Sequence, residues 1–315
     1  MRREPLTYAV LLVAALGLAF RAWTHEKGEQ PAPGSIEPWH RAANDIVGLQ
    51  YTGPGLHVEI ERRGTGDAAY LWATTDTSAF VVGADVGQRL LDNLASPQAV
   101  RDLGVPAARA RQGYGLDTAR THLVIRFQDG SRELLIGGPT YVASDRYVLD
   151  RTSGHAYVLP QGTVAPLENA VQMLPERRLH AFQPERVAAA TLRGAGRTLS
   201  MHRLAGGAGV PAASAWVPVA GTQRPDPAFG TFMQRLDGLW AGSYAAREDP
   251  RTLATVFRLD YADRWGRPLG FLELFRNPGP GPSPQYYVRT ELTRVLVRID
   301  PGAGENLATD VAQGL

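Results

Sequence analysis

The residues able to do chemistry are scattered along this chain. Its seven histidines are His25, His40, His57, His122, His155, His180 and His202. No two have the i, i+4 spacing that lets one helix face grip a metal ion. His57 and His202 fall in runs that alternate with apolar residues, which predicts solvent-facing strand positions. His122 begins a strand and His155 follows Ser153-Gly154 in a turn, neither with a nucleophile beside it. A serine-hydrolase elbow needs G-x-S-x-G, whereas Gly242-Ser243 is flanked by Ala241 and Tyr244. Gly64-Thr65-Gly66-Asp67-Ala68-Ala69 has the glycine spacing of a dinucleotide loop. The residues after it run as a strand to Trp72, so no helix N-terminus would meet a phosphate, and the segment reads as a hairpin loop. Asp145, Asp150 and His155 could form a carboxylate–histidine cluster. Alternation instead places Asp145 with Tyr147 on one strand face and Asp150 in a turn, the pattern of a solvated hairpin. Glu59 with Glu61, and Asp260 with Asp263, read the same way, because acid–base pairs must converge on one cleft. No catalytic, cofactor-binding or metal-ligating residue is assigned from the sequence, and no cofactor is expected.

Two aromatic residues and one loop carry weaker signals. Trp72 and Trp216 each precede a helical stretch, and both read as core anchors under that helix rather than as sugar-stacking platforms. The Asn277–Pro284 run, with four prolines, reads as a rigid spacer between strands; a partner-docking loop is the alternative.

The elements that would position these residues repeat. Strand-like runs at Ile46–Tyr51 and His57–Arg62 are matched by Val187–Arg193 and Arg197–Arg203, each pair joined through glycines. Leu71-Trp72-Ala73 matches Ala215-Trp216-Val217. A helix with Val86, Leu90, Leu91 and Leu94 on one face matches one with Phe229, Phe232, Met233, Leu236 and Leu239. Strands at 123–127, 134–136, 146–149 and 156–159 match 255–259, 271–274, 286–289 and 295–298, and short helical runs near 164–173 and 305–314 close both copies. The offset between copies stays between about 132 and about 144 residues, the mark of an internal duplication. The expected fold class is therefore α+β, with two tandem duplicated modules at 46–182 and 183–315. Each would be a mainly antiparallel sheet with helices packed on it.

The N-terminus differs in kind. Met1-Arg2-Arg3-Glu4-Pro5 precedes an uncharged run from Leu6 to Phe20, with Arg21 and Trp23 suited to the membrane interface. Residues 5–23 would span about 28 Å as a helix, against a hydrocarbon core of about 30 Å. This predicts a signal-anchor at 1–23, contacting the inner membrane through Leu6–Trp23. A cleaved signal peptide ending near Gly17-Leu18-Ala19 is the alternative. Residues 24–45, rich in Pro, Gly and charge, read as a linker.

Composition narrows the rest. Hydrophobic residues make up 44% and charged residues 20% of the 315, enough for a sizeable core and too apolar for global disorder. Cysteine is absent, which excludes disulfides, thiol catalysis and thiolate metal sites. The formal charge is only +2, and Arg alternates with Asp and Glu throughout, so there is no basic stripe for nucleic acid and none is expected as a partner.

Taken together, the N-terminal anchor, the Trp before a leucine-spaced helix, Gly113-Tyr114-Gly115-Leu116-Asp117, Asp129-Gly130, Leu135-Ile136-Gly137-Gly138-Pro139-Thr140, Tyr147-Val148 and Leu174–Phe182 resemble the domain of unknown function family 4340. The resemblance covers most of 46–315 and is strongest over 70–182; the second copy lacks the Tyr-Gly-Leu-Asp and Ile-Gly-Gly elements. It implies a bacterial envelope protein held at the inner membrane, single-pass, with its C-terminal body extracytoplasmic. It also implies association with a gliding-motility-type ABC permease and ATPase, and it brings no catalytic residues. The expected function is a non-enzymatic accessory or scaffold protein. The rivals are a periplasmic glycan- or ligand-binding protein and an envelope hydrolase.

Overall fold

Alternating apolar residues build the first sheet. In β1 (Ile46–Gly53) and β2 (Leu56–Arg63), Leu49, Tyr51, Val58 and Ile60 are buried on one face while Gln50, Thr52, His57, Glu59 and Glu61 lie on the other. They are joined in one antiparallel sheet by β3 (Tyr70–Thr75), β4 (Ala79–Val81), β5 (Arg101–Gly104), β6 (Thr121–Phe127), β7 (Gly130–Pro139), β8 (Arg146–Asp150) and β9 (Ala156–Leu159). The strand order is β4-β3-β2-β1-β6-β7-β8-β9-β5. The computed structural model describes residues 35–141, 143–204, 216–220, 224–277 and 284–315, without the side chain of Asp67. The expected anchor at Leu6–Trp23 and most of the proline run after Asn277 lie outside these residues. No helix among the described residues is long and apolar enough to cross a membrane.

One face of the first sheet is covered by α1 (Ala84–Ala95), α3 (Gln161–Glu168) and α4 (Ala170–Met173), counted after α2 (Ala108–Gly113). Leu90, Leu91 and Leu94 of α1 are buried in the same apolar core as the inward residues of β1, β2 and β6. A helix of 12 residues is marginal alone. Burying each leucine contributes about 1.5–3 kcal/mol, so the sheet holds the helix. The helical run predicted near 164–173 is two pieces. Pro166 lacks an N–H for the ladder, and Asn169 leaves helical geometry at φ −119°, ψ 36°.

Chain before β1 is packed as well. Ile36 pairs with Ala99, and Trp39 is buried with its indole N–H donating to the Leu94 carbonyl at 3.0 Å. The packed body thus reaches back into the stretch read as linker.

The outer face of this sheet has a partial second cover. The Tyr114–Leu116 loop after α2 lies across β7 and β8, where Leu116, Leu149 and Ala156 form a small apolar cluster. Gly138 N–H donates to the Tyr114 carbonyl at 2.9 Å, and Tyr114 stacks on Tyr147 at 4.5 Å between centroids. Gly137 makes the approach possible, since a Cβ there would overlap the Tyr114 carbonyl oxygen. Gly115 takes φ +67°, which suits glycine.

The second sheet has seven antiparallel strands: β10 (Ala189–Gly194), β11 (Arg197–Arg203), β12 (Trp216–Pro218), β13 (Ala254–Ala262), β14 (Pro268–Asn277), β15 (Gln285–Thr290) and β16 (Val297–Arg298). Their order is β12-β11-β10-β13-β14-β15-β16. α5 (Pro227–Asp237) and α6 (Pro301–Gln313) pack on one face. Each starts at an Asp-Pro pair: Asp226 accepts from Phe229 N–H at 3.0 Å and Asp300 from Ala303 N–H at 2.8 Å, with Pro at the first helical position. The outer face carries an ion ladder. Arg193 and Arg258 meet Asp260, Arg258 reaches Glu273 at 2.8 Å, and Arg289 reaches Glu273 at 2.6 Å.

All four outermost strands are short: β4 and β12 have three residues each, β5 four and β16 two. Pro218 ends β12, and lone bridges Val82–Pro175 and Tyr244–Val297 lie beside β4 and on β16.

The molecule is therefore a mixed α+β structure with two antiparallel sheets. Trp216 sits under α5, edge-on to Phe229 at 5.3 Å, as expected. Trp72 does not sit under α1. Its neighbours Leu71 and Ala73 face the core, which turns Trp72 to the outer face, where it is buried beneath the Arg63 guanidinium at 4.9 Å.

Candidate functional site

The histidines and carboxylates singled out in the sequence do not converge. His57 Nδ1 lies 3.2 Å from Thr52 Oγ1, His122 3.3 Å from Glu133 and His155 3.3 Å from Asp102. Asp145 accepts from Gln161 N–H at 3.2 Å. Asp150 is not a solvated turn residue: it is 1% exposed, ion-paired to Arg132, and accepts from the Ser153 hydroxyl at 2.7 Å. Asp260 belongs to the ladder, and Asp263 organises a turn by accepting from the N–H groups of Trp265 and Arg267, both at 2.9 Å. Among the described residues no group of three or more His, Asp and Glu comes together to hold a metal ion. Gly64–Ala69 is the β2–β3 connection, containing one short 3₁₀ turn.

The polar groups that do converge lie where the chain passes between the sheets, Leu174–Phe182. Glu176 is 5% exposed and is gripped by Arg178, whose Nε and Nη2 donate to its two oxygens at 3.1 and 3.0 Å. It also accepts from the N–H of Arg178 at 2.9 Å and from that of Ala84, the first residue of α1. A carboxylate at this position satisfies an orphan donor of α1 and complements its dipole. Burial opposes ionisation of Glu176, but the hydrogen bonds and charge of Arg178, with the Ala84 N–H, outweigh it and hold the carboxyl below its ordinary range. Glu176 N–H donates to Val81 O and Gly83 N–H to Leu174 O, both at 2.8 Å, so this segment is laced to the first sheet.

The same segment is laced to the second sheet. Ala241 N–H donates to Arg177 O at 2.9 Å and the Arg177 guanidinium to Gly242 O. Gly242 N–H donates to Arg298 O, and Arg298 N–H to Ser243 O, both at 2.8 Å. Tyr244 packs against both apolar cores, 5.9 Å from the Phe80 ring, and its hydroxyl donates to Glu176 O at 3.1 Å. Burial pushes the Tyr244 phenol well up, which keeps its proton in that hydrogen bond. Further along, His180 Nδ1 is 3.0 Å from Glu291, which also accepts from Phe271 N–H at 3.0 Å.

A cleft of about 430 Å³ opens beside this junction. Leu71, Val82 and Leu91 form part of its apolar wall, and Arg62, Tyr70 and Arg294 supply its polar side. Arg294 lies over the Tyr70 ring at 3.9 Å and takes φ +63°. Glu176 and Glu291 also line the cleft, both already engaged by the partners above. Neither Arg62 nor Arg294 forms an ion pair with a described residue. A second hollow of about 220 Å³ is lined by His180, Phe182, Asp237, Trp240 and Tyr261. Burial raises the Asp237 carboxyl, against the opposing charges of Arg203 and His180.

The sequence reading passed over Arg62, Tyr70, Glu176, Glu291 and Arg294. One signal was present. Arg62 and Arg63 are adjacent on a strand and must point to opposite faces. Arg63 lies with Glu61 and Trp72 on the outer face, so Arg62 emerges at the rim of the helix-covered face, where the cleft is. Nothing local pointed to Arg294. Chemically, an apolar wall beside two guanidinium groups that have no ion-pair partner among the described residues can hold an anion with an apolar body.

Architecture and cleft thus define a two-sheet α+β protein with a binding-type pocket at the junction of the sheets. Comparison with protein-family models, curated proteins and solved structures finds no match for this chain.

Proposed function

We propose that this protein is a non-enzymatic accessory or scaffold protein of the bacterial envelope, held at the inner membrane by Leu6–Trp23 with its body outside the cytoplasm. The observation that carries the scaffold reading is a set of exposed apolar side chains at one end of the second sheet. Trp265, 62% exposed, lies in the β13–β14 turn; Leu204, 40% exposed, follows β11; Trp240, 65% exposed, lines the hollow beside Pro184 and Tyr261. Backbone hydrogen bonds join this end: Arg203 N–H to Ala188 O and Ala188 N–H to Ala262 O. Large apolar residues gathered at one end are the usual mark of a partner surface. The shared order of hairpin, third strand, helix, four-strand meander and closing helix supports the reading of two tandem modules. The family resemblance supplies an ABC-type permease and ATPase as the partner.

The test is solubilisation from native membranes through a C-terminal tag. Stoichiometric permease and ATPase should co-purify, and they should be lost when residues 1–23 are replaced by a cleavable signal or when Trp240 and Trp265 are both changed to Glu. Recovery of the protein alone, from membranes where those subunits are detectable, overturns the reading. The cleft favours a second reading, ligand binding, through two arginines that have no ion-pair partner among the described residues.

A further inference from the structure

We infer that the cleft at the junction of the sheets binds an amphipathic anion, a carboxylate or phosphate head on an apolar tail, with Arg62 and Arg294 taking the head. Three independent observations carry this. The first is charge accounting. Among the described residues four ionised side chains line the cleft, and the two carboxylates are engaged by the protein's own donors, Glu176 by Arg178 and the N–H groups of Arg178 and Ala84, Glu291 by His180 and the Phe271 N–H. Among the described residues the two guanidinium groups have no ion-pair partner, and guanidinium forks suit carboxylate and phosphate oxygens.

The second is backbone conformation. Arg294 takes φ +63°, where a side chain other than glycine, Asn or Asp is strained. The turn that imposes it is fixed by two fully buried threonines. Thr290 N–H donates to Thr293 Oγ1, and the Thr293 hydroxyl donates to Val295 O, both at 3.1 Å. Glycine would fit this position without strain. An arginine there is aimed across the cleft mouth onto Tyr70, from the second sheet to the first.

The third is shape. Leu71 from β3, Val82 beyond β4 and Leu91 of α1 give the cleft an apolar wall, and about 430 Å³ falls in the range of small-molecule pockets. An inorganic anion would leave that wall wet, and a neutral apolar molecule would leave both arginines unused.

The inference rests on reading the cleft as a binding site and not on the anchor or the transport partner. The experiment uses the full chain in phosphatidylcholine nanodiscs. An octanoate with a diazirine on its tail is photolysed in place, and the labelled residues are mapped by peptide mass spectrometry. Labelling is expected at the cleft wall, about tenfold above that by the octylamine of the same tail, and about tenfold reduced in Arg62→Ala/Arg294→Ala, as loss of a charge-assisted pair implies. Arg294→Gly separates ligand capture from folding: its thermal midpoint should be unchanged or higher while cleft labelling falls. Competition by phosphatidylglycerol in the disc identifies a lipid head group as the source, and competition by soluble hexyl phosphate identifies a free alkyl anion; each upholds the proposal. Equal labelling by amine and acid, labelling of the double variant at the level of the unmodified chain, or no cleft labelling overturns it. Failure of partner co-purification with cleft labelling intact would sink only the transport reading.

Discussion

The two sheets meet the same problem on their outer faces and solve it differently. Each packs its main helices on one side, so the other side must be reconciled with water. The first sheet lays a loop across part of that face, burying Leu116 against Leu149 and Ala156 through the gap left by Gly137. The second shows no such loop among the described residues and strings Arg193, Asp260, Arg258, Glu273 and Arg289 across its strands. The second half has neither the Tyr-Gly-Leu-Asp nor the Ile-Gly-Gly element. One is the cover and the other its seat, and neither has a use without the other. Apolar cover is stabilising but demands a matched surface, whereas a charge ladder tolerates exposure and contributes less.

That contrast can be broken by substitution. The largest effect is expected at Leu116→Ala, which empties a site 1% exposed and should cost about 3 kcal/mol in urea unfolding. The loss should be insensitive to added salt, and a cost below about 1 kcal/mol would show the cover to be ornamental. Next comes the junction. Glu176→Gln should cost about 2 kcal/mol and separate the unfolding of the two sheets into two transitions, because it leaves Arg178 and the start of α1 poorly satisfied. The pH dependence follows from the same group. The folded carboxyl titrates below its ordinary 4.5, so its contribution is whole above about pH 4.5 and is lost as the pH falls through the folded value. The unmodified protein should therefore begin to split its thermal transition below that pH, and the Gln variant should not show this added dependence.

Smaller effects test the ladder. Glu273→Gln should cost about 1 kcal/mol, since Glu273 is only 12% exposed and serves two arginines, and the cost should shrink in molar salt. A salt-independent loss would mean that packing of Arg258 on Phe271, at 4.3 Å, holds this face instead. Smallest of all, a double-mutant cycle on Arg126 and Glu59, the isolated pair on the outer face of the first sheet, should give no more than about 0.5 kcal/mol.

Much of the fold was legible where local pattern and burial agree. β9 and β11 fall at the residues read from the sequence, β9 as a continuous apolar run after the Gly154 turn and β11 as an alternating run after the Gly194–Gly196 turn. α5 was read from its apolar stripe and α6 as a short helical run, and the starts of both, at Asp226-Pro227 and Asp300-Pro301, were passed over. β4, β5 and α2 were missed for one physical reason: three, four and six residues long, they have no stability of their own and exist because a neighbour pairs or covers them. Trp72 was placed on the wrong face because its match with Trp216 before a helix was taken as the mark of the core, whereas alternation with Leu71 and Ala73 sends it outward. The cleft was illegible for a topological reason. Arg62 and Arg294 come from opposite halves of the chain, and only the docking of Leu174–Phe182 on both sheets sets them around one space.

The brevity of the four outermost strands bears on how the protein survives in company. A long bare strand recruits another chain and seeds fibrils, and the two ten-residue strands, β7 and β14, would be efficient templates if they stood at a margin. Both are enclosed between neighbours. The margins are instead stubs, one finished by Pro218, which cannot donate to an incoming ladder, and one taken up by Tyr244. Such a chain can be held at high local density without its copies knitting together.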